Sequence, residues 1–342
     1  MTRIHSVTVQ LAVLLLSFLS LSACSPMTFV VGLGPSQKEL ETQVVQSEPG
    51  AQTRQVAIID VSGVIMNAHQ PGPLFTEGEH PISLFREKLV KAANDPNVRA
   101  IILRINSPGG GVTASDAMYR EVLRFKEITN NQKPVIALLM DVAASGGYYL
   151  ACSADEIVAY PTTVTGSIGV IFQTLSVEPA LTRLGVQSNT ITSGPNKAAG
   201  SPLQAMTPEQ RQVLQSMVNN FYKRFTKIVQ QARPDIPQDQ FETVTDGRVF
   251  DGDQALALGL VDQLGDIQTA FEEAKKRAHI SKANLTIFHR PLSYVPTPYA
   301  ATPINPNHSA STSNSPAFSI STSINPSNLP TGFYFLWAPA LQ

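Results

Sequence analysis

Ala100-Ile101-Ile102-Leu103-Arg104-Ile105-Asn106-Ser107-Pro108-Gly109-Gly110-Gly111 is a short apolar, β-branched run that stops at a proline and three glycines. Such a run, bounded by turn residues, predicts a strand buried on both faces and followed by a glycine loop. Val112 to Ile128 then carries Met118, Val122 and Phe125 at helical spacing. Pro134-Val135-Ile136-Ala137-Leu138-Leu139 reads as the next strand, Asp141-Val142-Ala143-Ala144 as a turn, and Ser145 as the opening of another helix. Strand, turn and helix thus occur twice in succession, which points to an α/β sheet.

The same rhythm extends outward from Val56 to about His289. Upstream, Val56 to Val61 predicts a strand, and Ser83 to Ala93 a helix with Leu84, Phe85, Leu89 and Val90 on one face. Downstream, Thr207-Pro208-Glu209-Gln210 carries the signals of a helix start, so Thr207 to Ala232 reads as one long helix. Its stripe of Val213, Met217, Phe221 and Phe225 can pack on its own chain or on a second copy.

Both turns fall at the carboxyl ends of strands, where open α/β sheets place their chemistry. Gly109 to Gly111 can turn sharply and expose backbone N–H groups, and Ser145 sets a hydroxyl at a helix N-terminus. A glycine run also makes an ordinary turn, and a serine before a helix an ordinary N-cap. A serine nucleophile needs a base. None of the six histidines lies between residues 81 and 278; a Ser/His/Asp triad through His80 or His279 is open but has no positive support. Lysine serves where burial disfavours its charge. Lys197 is the candidate, with no carboxylate within about ten residues on either side; an ordinary solvated lysine is the alternative.

Five spaced blocks carry a resemblance. Asn106 to Gly111, Ala143-Ala144-Ser145-Gly146-Gly147-Tyr148-Tyr149, Thr165-Gly166-Ser167-Ile168-Gly169-Val170, Ser193-Gly194 with Lys197, and Asp246-Gly247-Arg248-Val249-Phe250 with Gly259-Leu260-Val261-Asp262 resemble, in order, the signal peptide peptidase A family (peptidase family S49) in its short, single-catalytic-domain form. The resemblance implies a ClpP/crotonase-like twisted sheet flanked by helices. It implies Ser145 as nucleophile, Lys197 as general base, Ser167 as the hydroxyl that orients the amine, and Gly110, with Gly146 beside the nucleophile, as oxyanion-hole donors. It further implies a homo-oligomer whose active sites take Ser and Lys from neighbouring protomers, acting on remnant signal peptides or other unfolded apolar peptides. Where the family commonly has Lys-Asp this chain has Lys197-Ala198, which favours a neutral lysine. Two other readings share the fold or the location: acyl-CoA hydratase or hydrolase chemistry, and a catalytically silent lipoprotein scaffold.

The two ends frame a catalytic domain at residues 55–290. Residues 1–23, with Arg3 and the apolar run Leu11 to Leu21 before Leu21-Ser22-Ala23-Cys24, read as a lipoprotein-type signal with Cys24 as the lipidated residue. An uncleaved anchor extending through Thr28-Phe29-Val30-Val31 is the alternative; in either case the domain faces the cell envelope, outside the cytoplasm. Residues 24–54 read as a linker. Cys152, the other cysteine, reads as a small buried hydrophobe, so no internal disulfide forms. With 25 Lys+Arg against 26 Asp+Glu, no field is available to hold nucleic acid. No phosphate loop or clustered metal ligands stand in the sequence, so no cofactor or metal is expected. Residues 291–330, rich in Pro, Ser, Thr and Asn, read as a disordered linker. It leads to an apolar segment at 331–342 that contains Phe333, Phe335 and Trp337, which is expected to lie in its own or a neighbour's substrate groove as a product-like strand, the alternative being a peptide that stays disordered or touches lipid.

Overall fold

The computed structural model describes residues 39–68, 79–291, 297–300 and 332–337. The signal-type segment, Cys24 and most of the 291–330 linker lie outside the described residues. In chain order the elements are β1 (Glu41–Gln46), β2 (Gln55–Ser62), α1 (Pro81–Asn94), β3 (Val98–Ser107), β4 (Gly109–Gly111), α2 (Val112–Ile128), β5 (Val135–Ala144) and α3 (Gly146–Ala151). They continue as β6 (Glu156–Ala159), β7 (Val164–Gly166), β8 (Ile171–Gln173), α4 (Glu178–Arg183), α5 (Pro208–Ala232) and α6 (Gln238–Val244). The last are β9 (Val249–Phe250), α7 (Gly252–Ala257), β10 (Gln263–Leu264), α8 (Ile267–Arg277), β11 (Asn284–His289) and β12 (Gly332–Leu336).

The main sheet runs β1-β11-β2-β3-β5-β6-β10, with β7 beside the end of β5 and β9 beside β7. Its central pairings from β11 to β10 are parallel, and antiparallel pairs close it at β1/β11 and β7/β9. Side chains alternate across it, as strand geometry requires. Val56, Ile58, Ala100, Ile102, Ile136 and Leu138 meet Ile267, Phe271 and Ala274 of α8 on one face. Ala57, Ile59, Ile101, Leu103, Ala137 and Leu139 meet α1, α2, α3 and α5 on the other. Both faces are therefore covered, which is why the central strands read as unbroken apolar runs. This is the expected α/β architecture, a sheet flanked by helices.

Four expectations need correction. Asp141 to Ala144 continues β5 rather than turning, because Val142, Ala143 and Ala144 pair with Val164, Thr165 and Gly166 of β7. The glycine run is the strand β4, held on one edge by Ile65 and on the other by β12. The segment read as an N-terminal linker contributes β1, whose Glu41–Gln46 pairs antiparallel with β11. Val90 is 43% exposed, so the buried face of α1 is Leu84, Phe85 and Leu89 with Ala92. In contrast, α2 has the expected limits and buries Met118, Val122 and Phe125. No helix among the described residues is long and apolar enough to cross a membrane.

Candidate active site

Ser145 stands at the turn from β5 into α3, with φ 51° and ψ −113°. A non-glycine residue avoids positive φ because its Cβ crowds the backbone, so this conformation stores strain. The turn is enforced from both sides: the Ser145 N–H donates to the Gly166 carbonyl at 2.8 Å, and the Ser145 carbonyl accepts from Tyr149 at 2.8 Å. Ser145 occupies the N-cap position, yet its side chain makes no capping hydrogen bond, and the residue is 1% exposed. The hydroxyl is thus not used as a cap. Because α3 has only six residues, its macrodipole is small, and the individual N–H groups at the turn matter more.

Ser167 is brought alongside by pairing. Ala144 and Gly166 are partners across β5 and β7, so the residues that follow them, Ser145 and Ser167, lie next to one another. Ser167 also has positive φ, at 49°, is buried, and donates its N–H to the Arg248 carbonyl at 2.7 Å. That bond gives the Asp246-to-Phe250 block a structural purpose: it holds the turn at Ser167.

Gly109 and Gly110 close the site from the third side. Gly109 has φ +100°, and a methyl group on it would meet the Gly146 N and the Phe335 carbonyl. On Gly110 it would strike the Ile65 carbonyl. Ile65 takes one edge of β4: its N–H donates to the Gly109 carbonyl at 2.8 Å, and its carbonyl accepts from Gly111 at 2.9 Å. Alternation along a strand leaves the N–H and carbonyl of Gly110 facing the other edge. The β4 and β5 turns are therefore in backbone contact, with Gly146 between them.

That other edge is occupied by β12. Tyr334, Phe335 and Leu336 pair antiparallel with Gly111, Gly110 and Gly109, while Gly332, Phe333 and Tyr334 pair with Gln173, Phe172 and Ile171 of β8. The Trp337 N–H donates to the Pro108 carbonyl at 2.8 Å. The apolar C-terminal segment expected to enter a groove thus forms the middle strand of a small sheet beside Ser145. Phe335 is fully buried, with its ring 5.0 Å from Tyr149 and 4.8 Å from Phe225. Phe333 sits 4.7 Å from Phe172 and 5.3 Å from Phe221.

Tyr149 is itself fixed. Its hydroxyl donates to Asp116 at 2.7 Å, and Arg224 of α5 reaches the same carboxylate at 2.7 Å. Burial opposes the Asp116 charge, but hydrogen bonds from Tyr149, Arg120 and Arg224 outweigh it and hold the carboxyl below its usual range. Burial, then the Asp116 bond, raises the Tyr149 phenol, which stays protonated. Cys152 is buried and pushed up to about 12, as suits an inert packing residue.

Lys197 does not join this group within one chain. It is exposed in the 185–206 segment between α4 and α5, and no hydrogen bond links it to Ser145 among the described residues. Exposed there, it lacks the desolvation that a lysine base needs. Of the histidines left open, His80 accepts from the Ser83 N–H at the start of α1, and His279 is exposed just beyond α8. Three groups had no sequence signal as site components: Ile65, which braces β4; Asp116, which fixes Tyr149; and Phe172. Phe221 and Phe225 were visible as a helical stripe, but not as pocket walls.

The model of "Peptidase family S49" matches residues 127–281, a span that includes Ser145, Ser167 and Lys197 and begins beyond Gly110. The chain is 34% identical over 238 residues to a "Putative signal peptide peptidase SppA" of Enterococcus faecium, covering 70% of this chain and 68% of that one. It is 37% identical over 234 residues to "Protease 4" of Salmonella typhi, and 36% identical over 247 residues to "Serine protease SPPA, chloroplastic" of Arabidopsis thaliana. These matches cover 68% and 71% of this chain but only 36% of either relative, so the chain spans about a third of those two. A buried, uncapped serine at a strained turn, backed by glycine strands and by these matches, leads to one assignment: the chain belongs to peptidase family S49, with the signal peptide peptidase A proteins, and is a serine-type peptidase.

Proposed function

We propose that Ser145 and Lys197 form a Ser/Lys dyad that hydrolyses peptide bonds in extended apolar peptides, such as remnant signal peptides, in the cell envelope. The observation that carries this reading is the Ser145 hydroxyl, buried at a positive-φ turn, unused as a cap, and next to Gly146, whose backbone meets that of Gly109. Lys197, exposed on its own chain, meets Ser145 of a neighbouring protomer in a homo-oligomer, where burial at the interface favours its neutral form. The envelope location and the Cys24 anchor rest on the N-terminal sequence pattern alone.

The steps follow from these roles. Neutral Lys197 takes the Ser145 proton as the oxygen attacks the peptide carbonyl, and the carbonyl electron pair moves onto oxygen. The N–H groups of Gly110 and Gly146 hold that oxyanion, each lowering the barrier by about 3 kcal/mol. Collapse breaks the C–N bond, the lysine ammonium protonates the leaving amine, and an acyl ester remains on Ser145. Water, deprotonated by Lys197, cleaves the ester, and Ser145 regains its proton. Ser167 orients the amine.

A serine-directed fluorophosphonate is expected to label the wild type but not Ser145→Ala. Ser145→Ala and Lys197→Ala should each abolish peptide hydrolysis, with a smaller loss for Ser167→Ala. Mixing the two dead variants under subunit exchange should restore activity. Full turnover by Lys197→Ala would refute the dyad, and no recovery in the mixture would refute the shared site.

A further inference from the structure

We infer that Ser107 and Ser115 are positioning residues, whose hydroxyls hold β4 on either side of Gly110 and so aim the Gly110 N–H as an oxyanion donor. This inference rests on the proposed roles of Ser145 and Gly110. Both serines are fully buried, and neither hydroxyl takes part in the steps set out above.

Three consecutive glycines, Gly109 to Gly111, form a backbone with little conformational constraint of its own, because no Cβ narrows φ and ψ. A donor on such a segment keeps its aim only if other groups hold it. The two flanking glycines supply that hold. The Gly109 N–H donates to the Ser107 hydroxyl at 3.1 Å, and the Gly109 carbonyl accepts from the Ile65 N–H at 2.8 Å. The Gly111 N–H donates to the Ile65 carbonyl at 2.9 Å, and the Gly111 carbonyl accepts from the Ser115 hydroxyl at 3.1 Å. The polar groups of both neighbours of Gly110 are thus engaged, by Ile65 and by one serine each. Alternation turns the N–H and carbonyl of Gly110 itself to the opposite edge.

The same serines brace β4 against the nucleophile helix. A methyl on Gly146 would lie 2.4 Å from the Ser115 hydroxyl oxygen, and one on Gly147 would lie 2.7 Å from the Ser107 carbonyl. Ser115 therefore packs on the residue after Ser145, and Ser107 on the one after that. Ser115 stands in the first turn of α2, so its hydroxyl reaches back to the residue four places earlier. Removing either hydroxyl releases one end of β4, since the Gly109 N–H or the Gly111 carbonyl must then find another partner. A displacement of about 1 Å at an oriented group costs up to about 100-fold in rate. Ground-state binding, spread along the rest of the peptide, changes less.

The test compares the full-length wild type with Ser107→Ala, Ser115→Ala, Ser107→Thr and Ser115→Cys. The probes are fluorogenic peptides, a fluorophosphonate, and one apolar hexapeptide prepared as its C-terminal aldehyde and as its C-terminal alcohol. The Ser145 oxygen adds to the aldehyde carbon, its proton passes to Lys197, and the carbonyl electron pair moves onto the oxygen held by Gly110. The alcohol has no carbonyl and reports binding alone. Each alanine variant should lower kcat about tenfold with KM changed by less than about twofold. Its affinity for the aldehyde should fall by about the same factor, with affinity for the alcohol unchanged. Ser107→Thr keeps the hydroxyl and should retain wild-type kcat. Ser115→Cys keeps the volume with a weaker donor, so its aldehyde affinity should also fall, which is readable even if Ser115→Ala does not fold. Equal weakening of aldehyde and alcohol, or wild-type kcat in the folded alanine variants, would overturn the inference while leaving the serine peptidase intact. A wild type that neither cleaves peptides nor reacts with the fluorophosphonate would overturn the reading on which it rests.

Discussion

At the scale of single residues, the site consists of backbone positions that most side chains avoid. Ser145 at φ 51° and Ser167 at φ 49° are each held by one main-chain hydrogen bond to a neighbouring strand or loop. Positions of this kind cost about 1–3 kcal/mol, balanced by the surrounding fold. Glycine removes that strain but adds about 0.5–1 kcal/mol of backbone entropy in the unfolded chain. Ser145→Gly should therefore be more stable than Ser145→Ala by about 1 kcal/mol in urea unfolding, with both inactive. Equal stability would show that the strain lies elsewhere. The sequence could flag Ser145 as a nucleophile through its neighbours, but not its dihedral angles, which depend on pairing with β7.

Among the elements, α5 does two jobs along one stripe. Thr207 and Gln210 form the capping box that the sequence suggested, and Pro208 takes the first helical turn. The stripe then divides. Phe221 and Phe225 pack within the chain around β12, whereas Val213 and Met217 are 43% and 38% exposed. The choice between packing on the same chain and on a partner is thus settled for Phe221 and Phe225, which pack on their own chain, and stays open for Val213 and Met217. Leu184, Ile191 and Leu203 are also exposed, in or near the segment that carries Lys197. If the proposed homo-oligomer uses this face, substituting Val213→Glu and Met217→Glu together should leave only monomer in light-scattering measurements. Peptide hydrolysis should fall with it, because Lys197 would lose the neighbour it serves. A double variant that remains assembled and active would remove α5 from the interface.

Across the whole molecule, buried ion pairs tie the periphery to the sheet. Arg104 bonds Asp60 at 2.6 Å and also the carbonyls of Pro298 and Ala300, which fastens the 297–300 segment over the sheet. Arg233 grips both oxygens of Asp262, whose carboxyl also accepts from the Ile157 N–H. Burial raises the Asp262 carboxyl, but these partners outweigh it and hold it below the usual range; the same holds for Asp116 and, through Lys275, for Glu48. A carboxylate with a folded pKa below its unfolded value of about 4 contributes fully above that value. The contribution is lost as pH falls through the folded pKa. Glu156 and Glu273, which share Arg277, shift in opposite directions and offset one another. Tm should therefore stay nearly level from about pH 8 to 5 and fall below about pH 4; a Tm that rises on acidification would contradict these assignments. From the sequence alone came the α/β rhythm, the limits of α2 and α5, the helix that opens at Ser145, and an apolar tail in search of a groove. Each rests on local signals: hydrophobic period, caps and turn chemistry. Tertiary structure decided the rest, because it depends on residues far apart in the chain. Only pairing with β7 made Asp141 to Ala144 a strand, only Ile65 and β12 made Gly109 to Gly111 one, and only β11 drew Glu41–Gln46 into the sheet. The register that pairs Phe335 with Gly110 likewise exists only once β4, β8 and β12 have met.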